Sequence, residues 1–205
     1  MTKLEKIESK DYIVSEWSGG KTTQIIIDPP GALYANRDFH FRLSSATVEL
    51  EESEFTSLPD YERIIAPVEG ELKLYYNESK KPVVLHALEC DAFDGAWYTR
   101  SQGKVVDYNL MTRKGVCRGN SYALIVGAGQ SAELFCESMG KRSVLLCWCV
   151  QGSADLTTGE QSVSLASYDA ARVEIAGDNA ALRVKILGTG NTSVRIMVAQ
   201  VSFGS

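Results

Sequence analysis

The sequence predicts an all-β protein: two small antiparallel β-barrels or sandwiches in one chain. Three observations predict it. Turn residues punctuate the 205 residues roughly every eight to twelve positions, the spacing of an all-β fold. The segments between them alternate apolar and polar side chains with a period of two. A strand–turn–strand unit occurs twice, about 80 residues apart. Long segments of helical period are missing, and Leu4 to Ser9 is too short to matter.

The strands follow in order. Thr22 to Asp28 is β-branched and stops at Pro29-Pro30-Gly31. From Asp38 to Val48, Phe39, Phe41 and Leu43 share one face, with His40, Arg42 and Ser44 on the other. Leu72, Leu74 and Tyr76 alternate with Glu71, Lys73 and Tyr75. Leu182, Val184 and Ile186 alternate with Arg183, Lys185 and Leu187, and Val194, Ile196 and Val198 with Arg195, Met197 and Ala199. Many short strands of this kind close into a sandwich or barrel.

The repeat sets the organisation. Arg63-Ile-Ile-Ala-Pro-Val-Glu-Gly70 leads to Val83-Val-Leu85 and Asp91-Ala-Phe93. Ser143-Val-Leu-Leu-Cys-Trp-Cys-Val-Gln-Gly152 leads to Val163-Ser-Leu165 and Asp169-Ala-Ala. Strand, Gly turn, returning strand, loop and third strand are how a small jelly roll is built, and two copies make a double barrel. Residues 1–205 are therefore read as one double-barrel unit, with halves at 11–115 and 116–205.

Composition narrows the function. With 21 Lys+Arg against 26 Asp+Glu, the net charge of −5 argues against a nucleic-acid partner. No apolar run approaches the roughly 20 residues of a membrane span, so no membrane partner is expected. Met1 to Lys10 lacks an apolar signal core. Five cysteines without framework spacing read as free thiols, and the location expected is the cytoplasm. Cys147-Trp-Cys149 lies in a hydrophobic run, so its thiols are expected to be buried and slow to react.

Several motifs carry less than they first promise. Gly20-Lys21-Thr22 has the end of a phosphate loop, but Ser15 stands where the first Gly is needed and a strand follows. The two histidines, His40 and His86, lack the pairing of a barrel metal centre, so no metal and no cofactor are expected. His40 reads as a strand side chain rather than a base. Arg42 reads either as a solvent-facing strand arginine or, aimed into a barrel mouth, as a bidentate carboxylate receptor, with Ser44 on its face. Asp107, Asn109 and Met111 share a strand face; they either line a pocket or satisfy backbone groups in a bend.

Five segments, in order, resemble the HutD/Ves family. They are Trp17-Ser-Gly19-Gly20-Lys-Thr-Thr23-Gln, Phe41-Arg42-Leu-Ser44-Ser-Ala46, Phe55-Thr56-Ser-Leu-Pro59-Asp-Tyr-Glu-Arg63, Phe93-Asp94-Gly95 and Asp107-Tyr-Asn109-Leu-Met111-Thr-Arg113. The first is one residue shorter than the family's, with Ser18 and Gly19 where the family has Lys and Asn. The resemblance implies a bicupin that binds a small carboxylate, formylglutamate- or formate-like, with a regulatory role in histidine utilisation. It gathers Trp17, Thr23, Arg42, Ser44, Arg63, Phe93, Asp107, Asn109 and Met111 as ligand-binding residues, with no catalytic residue and no metal ligand. Arg42 is the anion receptor in this reading, Trp17 and Phe93 are apolar walls, and Asp107 orients an arginine or accepts a ligand N–H. Binding is expected ahead of catalysis. The alternatives are a metal-independent enzyme on a carboxylated or sugar-like molecule, and a structural, oligomeric interaction protein. The partners expected are the small carboxylate and, at most, a second copy of the chain in a homodimer.

Overall fold

The computed structural model describes residues 2–137, 142–176 and 181–204. The strands are β1 (Thr2–Ile7), β2 (Ile13–Trp17), β3 (Gly20–Asp28), β4 (Phe41–Val48), β5 (Glu52–Glu54), β6 (Tyr61–Glu69), β7 (Leu72–Tyr76), β8 (Val83–Leu85), β9 (Asp91–Asp94) and β10 (Thr99–Gln102). They continue as β11 (Val105–Arg113), β12 (Cys117–Val126), β13 (Ser131–Glu137), β14 (Arg142–Gln151), β15 (Ala154–Thr158), β16 (Gln161–Leu165), β17 (Ala170–Ala176), β18 (Ala181–Gly188) and β19 (Val194–Phe203). Helical structure among the described residues is two 3-10 turns, Ser9–Asp11 and Tyr34–Asn36. No helix among them is long and apolar enough to cross a membrane.

The chain divides into two compact units, one of Tyr12–Cys117 and one of Met1–Asp11 with Arg118–Ser205. The first holds a six-stranded sheet in the order β2-β3-β4-β11-β6-β9 and a four-stranded sheet in the order β5-β10-β7-β8. The second holds sheets in the orders β1-β17-β14-β19-β12 and β13-β18-β15-β16. The sequence repeat is visible strand by strand. β6 runs through Gly70 into β7, and β14 through Gly152 into β15; both glycines have φ near +90° (89° and 91°), where a side chain would be strained. β9 returns to β6 as β17 returns to β14, and β11 and β19 take the other side of each.

The first unit buries Val48, Ile65, Leu72, Leu74, Leu85, Phe93 and Val105 together. The second buries a larger set that includes Leu145, Cys147, Cys149, Leu156, Val173, Ile186, Ile196 and Val198. β1, which the local pattern did not reveal, pairs with β17 from Thr2↔Ile175 to Ile7↔Ala170 and packs Leu4 against this core. Pairing across such a sequence distance leaves no local trace.

Cys147 and Cys149 are each fully buried, all five cysteines are free, and burial pushes both of these thiols up to about 12. Only Cys90 is partly exposed. We expect five thiols to titrate with a disulfide reagent after denaturation, and Cys90 alone to react in the native protein. Fast native labelling of Cys147 or Cys149 would contradict their placement.

Candidate functional site

The inner face of the six-stranded sheet changes character along its length. Towards one end it carries Val48, Ile65 and Val105. Towards the other, strand register lines up polar side chains in rows. Arg42 pairs with Met111, Met111 with Arg63, and Arg63 with Phe93. In the next row Gln24 pairs with Ser44, Ser44 with Asn109, and Asn109 with Ile65. Residues opposite one another in a sheet project to the same side, so both rows face one space. That space is a cavity of about 320 Å³ whose lining includes Trp17, Tyr34, Arg42, Ser44, Phe55, Arg63, Asp107, Asn109 and Met111.

The two arginines are held differently. Arg42 is 5% exposed, so the solvent-facing reading does not hold. Its Nε donates to Gln24 Oε1 at 2.8 Å and its Nη1 to Ser44 Oγ at 3.0 Å, and its guanidinium lies 4.4 Å from the centre of the Tyr34 ring. Arg37 stacks against the same ring at 3.9 Å. Arg63 is equally buried but makes no side-chain hydrogen bond or ion pair among the described residues, and its Nε is buried without a partner. Its guanidinium is held by aromatic faces, 4.6 Å from the Phe55 ring centre and 5.3 Å from that of Phe93. Burial lowers the pKa of both guanidinium groups, that of Arg63 to about 10, so Arg63 stays charged at neutral pH.

Asp107 accepts a 2.8 Å hydrogen bond from the Ala46 amide on Oδ1, next to a bulge between Val106 and Asp107. Pocket-lining and backbone-satisfying roles thus coexist in one side chain. It forms no ion pair with either arginine. Burial raises its pKa to about 7, against the lowering by the Ala46 amide, Arg63 and Arg42. Asn109 Oδ1 is buried with no partner.

Of the nine residues expected at the site, seven line the cavity: Trp17, Arg42, Ser44, Arg63, Asp107, Asn109 and Met111. Phe93 is one layer behind, under the Arg63 guanidinium. Thr23 is not in the lining; Thr22 is, because Thr22 pairs with Ala46 on the cavity face while Thr23 pairs with Ser45. A Cβ on Gly19 would collide with the Trp17 indole, so this glycine makes room for the ring at the cavity edge. Among the contributors that escaped the sequence reading are Gln24, which holds Arg42, and Tyr34 and Phe55, whose rings face the two guanidinium groups. Gln24 had a signal, since it closes the first of the five family-like segments. Tyr34 had none.

The second unit provides an internal comparison. Where β6 and β11 pair Arg63 with Met111, Ile65 with Asn109 and Pro67 with Asp107, the matching strands β14 and β19 pair Leu145 with Gln200, Cys147 with Val198 and Cys149 with Ile196. Arg63, Asn109 and Asp107 are thus answered by Leu145, Val198 and Ile196, all buried in an apolar core. The fold does not need the polar set.

The histidines stand apart from the cavity lining. His40, just before β4, has Nδ1 2.9 Å from buried Asp28 Oδ1, and His86 Nδ1 lies 3.4 Å from Glu71. Among the described residues no group of three or more His, Cys, Asp and Glu comes together as a metal site.

The fold is similar to that of the conserved protein PA5104 from Pseudomonas aeruginosa PAO1, at 23% identity over 99% of this chain and 100% of that one, with a TM-score of 0.77. HutD from Pseudomonas fluorescens SBW25, obtained in a formate condition, superposes with a TM-score of 0.73 at 20% identity, over 99% and 100% of the two chains. The formate complex of oxalate decarboxylase from Lactobacillus farciminis shares the architecture at 8% identity, over 98% of this chain and 86% of that one, with a TM-score of 0.68. No curated protein sequence matches the chain. The HutD family profile matches residues 9–194, nearly the whole double cupin, and the chain belongs to the HutD family.

Proposed function

We propose that the protein is a metal-independent, cytoplasmic, cupin-type receptor for a small carboxylate of the formate or formylglutamate kind, with a regulatory role in histidine utilisation. One observation carries the reading: the Arg63 guanidinium is buried in a cavity wall with no protein acceptor. A buried cation without a hydrogen-bonding partner is costly, and a ligand carboxylate offers the missing acceptors in the paired geometry that a guanidinium fork matches. Arg42, fixed by Gln24 and Ser44, adds a second donor group aimed into the same space. The apolar counterparts in the second unit support a ligand-binding role over a structural one. Formate in the P. fluorescens HutD condition and in the oxalate decarboxylase complex is consistent with the ligand class.

Calorimetric titration with formate and N-formylglutamate tests the reading. Binding of either is expected without turnover, by protein free of stoichiometric transition metal in elemental analysis. Arg42→Lys keeps the charge but loses the Nε–Gln24 bond and the fork, and is expected to weaken binding by roughly 1.5–3 kcal/mol. Unchanged affinity in this variant, alongside a collapsed denaturant melt, would make Arg42 purely structural.

A further inference from the structure

We propose that the cavity takes up a small carboxylate together with one proton, the proton seated on Asp107. The inference rests on the carboxylate-binding reading above and adds its linkage to pH. Asp107 sits among the donors that an anion would use. Arg42 on β4 and Arg63 on β6 are the charged groups facing it from the two strands beside its own. Tyr34 and Glu54 are the other titratable groups in the lining, and Glu54 is engaged by the Tyr98 hydroxyl. Tyr76 on β7 bears on Arg63 and is engaged with Asp91. Thr22 on β3 and Ser53 on β5 are uncharged.

The Asp107 carboxyl group is 5% exposed and has one hydrogen bond and no ion pair. It is therefore poorly stabilised as an anion even in the empty cavity, and burial already brings its titration close to neutrality. A ligand carboxylate entering the same cavity adds a second negative charge at low dielectric, and two such charges cannot both persist. The ligand's charge is met by the unused Arg63 donors and by Arg42. The Asp107 charge is the one relinquished, by uptake of a proton from solvent. As a neutral acid Asp107 gains an O–H donor, and both a ligand oxygen and the unpartnered Asn109 Oδ1 are acceptors for it.

Above the pH at which free Asp107 ionises, each further unit is expected to weaken binding about tenfold; below it, affinity is flat while the ligand stays ionised. Formate, titrated calorimetrically from about pH 6 to about pH 8.5 in buffers of different ionisation enthalpy, reads both the slope and the proton count. The expected result is that slope, with uptake approaching one proton at the alkaline end. Asp107→Asn copies the shape of the neutral acid; it should flatten the profile and bind formate about tenfold more tightly than wild type one unit above the transition. A pH-independent formate affinity in wild type, no proton uptake, or an unchanged slope in Asp107→Asn overturns the linkage. The wild-type measurements decide it even if the variant fails to fold. Absence of formate binding at every pH overturns the carboxylate reading itself, and the linkage with it.

Discussion

Arg63→Met should abolish carboxylate binding and leave the protein more stable than wild type. The guanidinium is buried, uncompensated by any hydrogen bond, and pushed by that burial from its ordinary 12.5 down to about 10. Keeping it charged at neutral pH therefore opposes folding by on the order of 3 kcal/mol. Its contacts with Phe55 and Phe93 return about 1–2 kcal/mol as cation–π attraction in a desolvated setting. The unfavourable part is the larger. Met fills a similar volume, keeps contact with both rings and has no polar group to satisfy, so the net gain is about 1–2 kcal/mol. Urea melts should show a higher midpoint, while calorimetry with formate should show at least about a hundredfold loss of affinity, as for removal of a charge-assisted pair. Arg63→Met destabilised by more than about 1 kcal/mol, with binding intact, would instead make Arg63 a structural residue.

The fold was legible because it is written in periods of two and in one duplication. Alternation marked the strands, and the Gly70 and Gly152 turns fixed which of them correspond. The polar row was legible in part: Arg42 and Ser44, and Asp107, Asn109 and Met111, alternate on their own strands, but bringing Arg63 beside them required the family resemblance. Thr23 came with the family resemblance, and the register of β3 turns it away from the cavity. β3 carries a bulge between Gln24 and Ile26, where Ile25 is extra, so the face that holds Ile27 opposite Arg42 continues as Gln24 and Thr22 rather than as Ile25 and Thr23. One inserted residue moves every later side chain to the other face. Tyr34 lies outside any strand, in a 3-10 turn closed by Arg37 in a left-handed conformation at φ 56°, and no periodicity reaches it. β1 was hidden because its partner, β17, lies at the far end of the chain.

Asp107→Asn should stabilise the protein increasingly as pH rises, a result opposite to the usual loss on removing a buried carboxylate that is paired. Burial raises this group from 3.8 to about 7 on folding. Below about pH 4 the carboxyl group is protonated in both folded and unfolded chains, and it contributes no difference. Between about pH 4 and about pH 7 the unfolded chain sheds the proton while the folded one keeps it, so the contribution of Asp107 to stability falls by about 1.4 kcal/mol per unit. Above about pH 7 both states are ionised and the deficit levels off, at on the order of 4 kcal/mol. Other acids run the opposite way: Asp94, Asp169 and Glu174 are held below their ordinary values, and their support is lost as pH falls. A bare pH profile of the wild type mixes these slopes. The difference between Asp107→Asn and wild type isolates the one group, because the others are common to both chains. Asn keeps an oxygen to accept the Ala46 amide and carries no charge, so it mimics the protonated acid at every pH. Urea melts of both proteins at about pH 5, 6, 7 and 8 should show a gap in favour of the variant that widens with pH and then holds constant. A gap independent of pH would mean that Asp107 titrates at its ordinary value, and a gap favouring wild type at the alkaline end would mean that an ion pair with Arg42 or Arg63 stabilises the folded state.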